Sequence, residues 1–216
     1  MVIDGVVDAE EHFDGSWLHS VQLADEAIAE FFKMCFEAGP ACAFFRNDSS
    51  ANSMQKRYDA LIADLKNAPI SLSDPRFVQF PMILTWVDVA GWMLINIYSQ
   101  SGFKDAATVL AELEHRNATA LNTLAVALGT PAGVTPPSEC DWNESYYGET
   151  EAKLIIVCND QHGRYNISSA EKLKEFVHEL EGISHYIGDV WSSVITLNCR
   201  NHAFMPPESQ IFQGER

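Results

Sequence analysis

From Ser16 onward the apolar residues Trp17, Leu18, Val21, Ala24, Ile28, Phe31, Phe32 and Cys35 recur at helical spacing. Such a spacing lines one face of an α-helix, and Gly39-Pro40 ends it, so about six turns of amphipathic helix are expected. Met54, Tyr58, Leu61, Ile62 and Leu65 mark a second helix that stops before Pro69. The stretch 71–81, with Pro75 and Pro81, reads as a loop. Residues 82–99 are apolar on nearly every side, as a central helix would be. A long helix is expected after Gly102, through Val109, Leu110, Leu113, Leu121, Leu124 and Leu128 to Gly129. Residues 130–139, TPAGVTPPSE, form the most evident internal boundary.

Signals for β-structure are few. Val2 and Ile3 read as the end of a buried strand, Asp4-Gly5 as a turn leaving it, and Asp8 through Asp14 as an acidic stretch that starts a helix. Residues 153–160, KLIIVCND, are a short apolar, β-branched run bounded by polar residues and read as a strand. Ser168 and Glu171 form a capping-box pattern opening a helix to about Gly182. A further helix is expected from Gly188 through Val190, Trp191, Val194, Ile195 and Leu197, followed by an extended tail. The fold class is therefore mainly α, with one or two short strands. One domain is expected: a strand exit over 1–8, a helical part over 9–129, and a second helical part with the tail over 138–216.

Composition narrows the function classes. With 216 residues, 47% hydrophobic and 20% charged, the chain is long and apolar enough to bury a core. Its 14 basic and 30 acidic side chains leave a formal charge of −16, which repels phosphate backbones and anionic membrane surfaces. The acidic excess is read either as a solvated surface or as steering for an amine-bearing ligand. The most apolar run, 82–98, contains Asp88 and falls short of the roughly 20 residues a membrane span requires. The first residues carry no basic segment of the kind that opens a signal peptide. The chain as written therefore reads as cytoplasmic, and as secreted if it is part of a longer precursor. Four Asn-x-Ser/Thr sites, at Asn47, Asn117, Asn143 and Asn166, are compatible with the second case.

Candidate chemistry is sparse. None of the five cysteines forms a CxxC pair, and they suit either two disulfides plus one thiol or a reduced protein. No G-x-S-x-G, phosphate loop or H-E-x-x-H occurs. His178 and His185 lack a third ligand at suitable spacing, so neither a metal nor a cofactor is expected. The aromatics of WNESYY, residues 142–147, are read either as a pocket lining or as local loop packing.

A series of motifs, in order along the chain, resembles the helical lid of the tripeptidyl-aminopeptidase-like α/β-hydrolases. Val2-Ile3-Asp4-Gly5-Val6-Val7-Asp8 is similar to the family's V-L-D-G-V-x-D. Phe32, Cys35, Ala38, Gly39, Pro40, Cys42, Ala43 and Phe44 follow its F-x-x-C-x-x-A-G-P-x-x-C-A-F. Ile155-Ile156-Val157-Cys158-Asn159-Asp160 resembles A-I-x-C-x-D. Ile187-Gly188-Asp189-Val190-Trp191 resembles F-G-x-x-W, and Cys199-Arg200-Asn201-His202 resembles the following C-x-x-W-P, with histidine in place of tryptophan. The resemblance implies pairing of Cys35 with Cys42 and of Cys158 with Cys199, leaving Cys140 free. It also implies that the family's serine would lie before Met1 and its aspartate and histidine beyond the tail. None of that triad can be carried onto a residue of this chain.

Two functions follow as expectations. One is a lid or cap domain of a serine α/β-hydrolase that binds a small substrate or short peptide without being a self-sufficient hydrolase. In it, Glu144, Trp142, Tyr147 and Trp191 would contact substrate, and Asp160 and Glu144 would meet a peptide amine. The partner would be a separate hydrolase core, or a second copy through exposed strand edges. The other is a stand-alone enzyme reusing the lid as a pocket for isomerisation, cyclisation or elimination of a small hydrophobic metabolite. Asp8, His12, Tyr146, Asp160 and His162 are the catalytic candidates, each an acid or base by type.

Overall fold

Side chains that take backbone hydrogen bonds decide where many of the helices begin and end. The structure is a computed structural model and describes residues 6–73, 81–116, 149–161, 165, 167–200, 202 and 206–211. In chain order the elements are α1 (Ala9–Asp14), α2 (Ala24–Ala38), α3 (Ala51–Asn67), β1 (Ile70–Leu72), β2 (Met82–Leu84), α4 (Trp86–Ile97), α5 (Phe103–His115), α6 (Glu149–Gln161), α7 (Ala170–Ile183) and α8 (Gly188–Trp191). The fold is mainly α, with one short antiparallel strand pair among the described residues. None of the described helices is long and apolar enough to cross a membrane. The chain forms two compact units: Met1–Ala24 with Trp142–Arg216, and Asp25–Asp141.

In the Asp25–Asp141 unit, α2 buries Ile28, Phe31, Phe32 and Cys35, and α3 buries Met54, Tyr58, Leu61 and Leu65. Both sets follow the helical repeat. Phe32 meets Phe31, Tyr58 and Phe44 at ring-centroid distances of 5.0, 5.7 and 6.2 Å, giving an aromatic centre to this core. The expected 71–81 loop and central helix from residue 82 are both corrected. Ile70, Ser71 and Leu72 pair with Leu84, Ile83 and Met82, an alternation too short to stand out in sequence. Asp88, which interrupts the apolar run, accepts the Thr85 N–H and hydroxyl at 2.7 Å and so starts α4 only at Trp86. Nor is α4 enclosed on every side, since Val87 and Ile95 are exposed. The long helix expected to reach Gly129 is described as far as His115, and Leu121, Leu124 and Leu128 lie outside the described residues.

In the other unit, Asp8 caps α1 by accepting Glu10 N and Glu11 N. The continuous helix expected from Ser16 to Cys35 is broken. Asp14 takes the Ser16 N–H at 2.6 Å, and the buried Glu11 carboxylate takes the His19 N–H at 2.9 Å. With those donors diverted from helical partners, Trp17 turns to φ 53° and a short 3-10 turn precedes α2. The expected strand at 153–160 is helix α6 instead. Val157, Cys158 and Gln161 are buried while Ile155 and Ile156 face outward, so the run of β-branched residues fills two faces of one helix. Leu154–Val157 therefore offers no strand edge for self-association. Val6 and Val7 are exposed and lie in no strand, and Val2 through Gly5 are outside the described residues.

The start of α7 is capped by Ser169, one residue later than the sequence pattern placed it. The helix expected to run from Gly188 to Leu197 ends at Trp191. Ser192 and Ser193 donate their hydroxyls to the carbonyls of Asp189 and Val190, and Leu197 N reaches back to Ser192 O, so the regular ladder gives way to turns. A side chain at Gly188 would fall 2.2 Å from Leu180 O, so glycine is what lets α8 sit against α7.

Candidate functional site

The α1–α6 contact carries the most distinctive chemistry in this unit. Gly15 ends α1 at φ 87°, returning its N–H to Glu11 O. A Cβ there would meet the Gln161 side chain at 2.9 Å, so the same glycine allows α6 to approach. That approach sets His12 Nε2 at 2.8 Å from Asp160 Oδ2, two side chains 148 positions apart in sequence. The imidazole is further held edge-on against Phe13 and Trp17, at 5.1 and 5.3 Å between ring centroids.

The orientation of the pair determines what it can do. His12 Nδ1 is buried and has no hydrogen-bond partner among the described residues, while the imidazole gives its other nitrogen to Asp160. Asp160, with a side chain 38% exposed against 18% for His12, lines a cavity of about 240 Å³. Phe13, Ile156, Pro206 and Ile211 supply apolar walls, and Asn159 and Gln210 the remaining polar groups. The carboxylate is thus the group presented to the cavity, with the imidazole holding it from the side. The Cys158–Cys199 disulfide, with Cα atoms 5.1 Å apart, fixes the next turn of this wall. Beside it His202 Nε2 meets Asn159 Oδ1 at 2.8 Å.

The other sequence candidates fall elsewhere. Asp8 serves as the cap of α1 and is occupied by backbone donors. Trp191 is buried and donates its indole N–H to Trp17 O at 2.9 Å, a packing role rather than a substrate wall. Tyr146, His162, Glu144, Trp142, Tyr147 and Cys140 lie outside the described residues. Cys35 and Cys42 form a second disulfide, with Cα atoms 5.3 Å apart. His178 pairs with Glu181 at 3.6 Å and His185 meets Tyr186 edge to face, so the two histidines are engaged separately. Among the described residues no group of three or more His, Cys, Asp and Glu side chains is placed to hold a metal.

Sequence reasoning passed over Glu11, Gln161 and the Asn159–His202 contact. Glu11 sits in an acidic run and reads as a surface residue, yet it is buried and clamps His19 through both N and Nδ1. The Asn159–His202 contact had a usable signal: each residue lies within three positions of a paired cysteine. No family model, curated protein or solved structure matches the chain, so the reading of this site rests on its own geometry.

Proposed function

We propose that this chain is a lid-type binding domain of a serine α/β-hydrolase resembling the tripeptidyl-aminopeptidases, and that Asp160 receives the free ammonium of a short peptide or aminoacyl substrate. The observation that carries the reading is a carboxylate, steadied by His12, at the wall of a cavity whose lining mixes apolar side chains with Asn159 and Gln210. An ammonium held there forms a charge-assisted hydrogen bond in surroundings poorer in water than the open surface. The apolar walls suit the side chain that follows such an amine. The chain's −16 charge favours arrival of a cation over an anion. In this reading the chain selects substrate and is not a self-sufficient hydrolase.

The geometry supports the stand-alone isomerase or cyclase less well. A base acting in the cavity would have to be Asp160 itself, because the second ring nitrogen of His12 is buried.

Calorimetric titration with leucinamide and with its N-acetyl derivative tests the proposal. Leucinamide should bind saturably, and both N-acetylation and Asp160→Asn should weaken binding about tenfold or more, as loss of a hydrogen bond to a charged group does. Equal binding of the acetylated amide would overturn the amine assignment. Hydrolysis of an aminoacyl ester by this chain alone would overturn the lid assignment.

A further inference from the structure

The Asp25–Asp141 unit holds a second concavity, chemically unlike the first. It has a volume of about 250 Å³ between the C-terminal part of α2, the Ala41–Ala43 segment and the start of α5. Phe31, Met34, Phe103 and Ala107 give it apolar walls, and the Cys35–Cys42 disulfide forms part of the lining. Phe31 and Phe103 lock edge to face at 5.4 Å, and the disulfide ties the end of α2 to the adjoining segment. The walls are therefore held in place before anything binds, which lowers the ordering cost of binding.

One charge borders this apolar space. Lys104 is the only charged residue of the lining, is exposed, and makes no ion pair among the described residues. Thr108 Oγ1 already donates to the Lys104 carbonyl at 2.9 Å, leaving Gln100 and Lys104 as the lining side chains with donors to offer. A lone cation beside an apolar cleft stands out in a chain of net charge −16. An apolar cavity of roughly 150 Å³ accepts benzene, so by proportion this one accepts an alkyl or aryl group of about ten carbons or fewer. That is too small for a helix of a protein partner and suited to a small amphiphile.

From this combination we propose that the cleft is a binding site for a small aliphatic or aryl carboxylate, its apolar body against Phe31, Met34 and Phe103 and its carboxylate paired with Lys104. The site is independent of Asp160 and takes the opposite ligand charge.

Chemical-shift titration of protein carrying ¹³C-methyl methionine tests it, with the Met34 signal assigned through Met34→Leu. The probes are octanoate, octylammonium and 1-octanol. Octanoate should shift Met34 saturably and bind about fivefold more tightly than octylammonium, the scale of one exposed ion pair. Lys104→Glu, a surface change that leaves the core intact, should weaken octanoate about fivefold or more and leave 1-octanol unchanged. Absence of a saturable Met34 shift with octanoate would overturn the site. Equal affinity for octylammonium, or an unchanged octanoate affinity in Lys104→Glu, would overturn the carboxylate assignment. Asp160→Asn should leave all three titrations unaltered, so failure here and failure of the amine site are told apart.

Discussion

The two units each hold a cluster of buried or half-buried charges, and they treat those charges in opposite ways. In the Asp25–Asp141 unit, Arg57 donates to both Glu114 oxygens at 2.9 and 2.5 Å, to Asp48 at 2.6 Å and to Phe44 O at 3.0 Å. Its guanidinium also lies 4.3 Å from the centre of the Phe44 ring. Burial alone would lower the Arg57 pKa, but Glu114 and Asp48 together outweigh it and hold the group above its ordinary value. In the other unit, His12 Nδ1 has no hydrogen-bond partner among the described residues, and the Asp160 carboxylate that its other nitrogen meets lines a cavity. A network whose groups are mutually satisfied stabilises a fold, whereas under the function proposed above the Asp160 carboxylate also meets a ligand.

The largest effect should come from breaking the satisfied cluster. Arg57→Met removes the guanidinium that donates to both Asp48 and Glu114, two largely buried carboxylates 6% and 15% exposed. Among the described ion-pair partners it leaves them only the partly exposed Arg46, through its backbone N–H on Asp48 and its Nε on Glu114. A loss of about 3 kcal/mol in unfolding free energy is expected, measured by urea denaturation at neutral pH. A loss below about 1 kcal/mol would mean that the cluster is no more structural than an exposed ion pair.

The matching change in the other unit should cost far less. Asp160→Asn retains the shape of the side chain and a hydrogen-bond acceptor for His12, and the position is already partly solvated. Its unfolding free energy should stay within about 1 kcal/mol of the parent chain, the range for a partly exposed pair. A loss comparable to that of Arg57→Met would place Asp160 with the scaffold and erase the contrast between the units.

Much of the scaffold was legible in the sequence, because α2 and α3 repeat their apolar residues cleanly enough that periodicity alone marks the buried face. The misreadings share a cause. At 153–160, Ile155 and Ile156 are apolar but exposed, so hydrophobicity no longer reports burial and a helix reads as a strand. At Ser16–Leu23, carboxylates of Asp14 and Glu11 take backbone donors and break a helix whose apolar spacing continues across the break. The site was half legible. His12 and Asp160 stand out as titratable residues in suggestive segments, but nothing local brings them together across 148 positions. Arg57 could not be singled out at all, since Glu114 is 57 positions away and neither residue belongs to a motif.

The smallest effect, silent at neutral pH, concerns Tyr165 and sharpens the comparison most directly. Tyr165 packs against Phe176 at 5.0 Å between ring centroids. Burial, followed by the nearby charges of Glu179 and Asp14, pushes its hydroxyl from 10.0 up to about 12. Here the surroundings suppress a charge, whereas around Arg57 they secure one. The unfolded chain releases this proton near its ordinary value and the folded chain only near 12, so between those limits the folded state binds more protons. Stability from the neutral phenol is therefore complete below about pH 10 and declines as pH rises toward 12. Tyr165→Phe cannot ionise and should show a shallower decline over that window while matching the parent chain at neutral pH. The difference in phenolate absorbance between the two proteins should have its midpoint near pH 12 when folded and near pH 10 in denaturant. A folded midpoint near 10 would mean that Tyr165 is solvated, and that this unit does not exclude charge in the way the comparison requires.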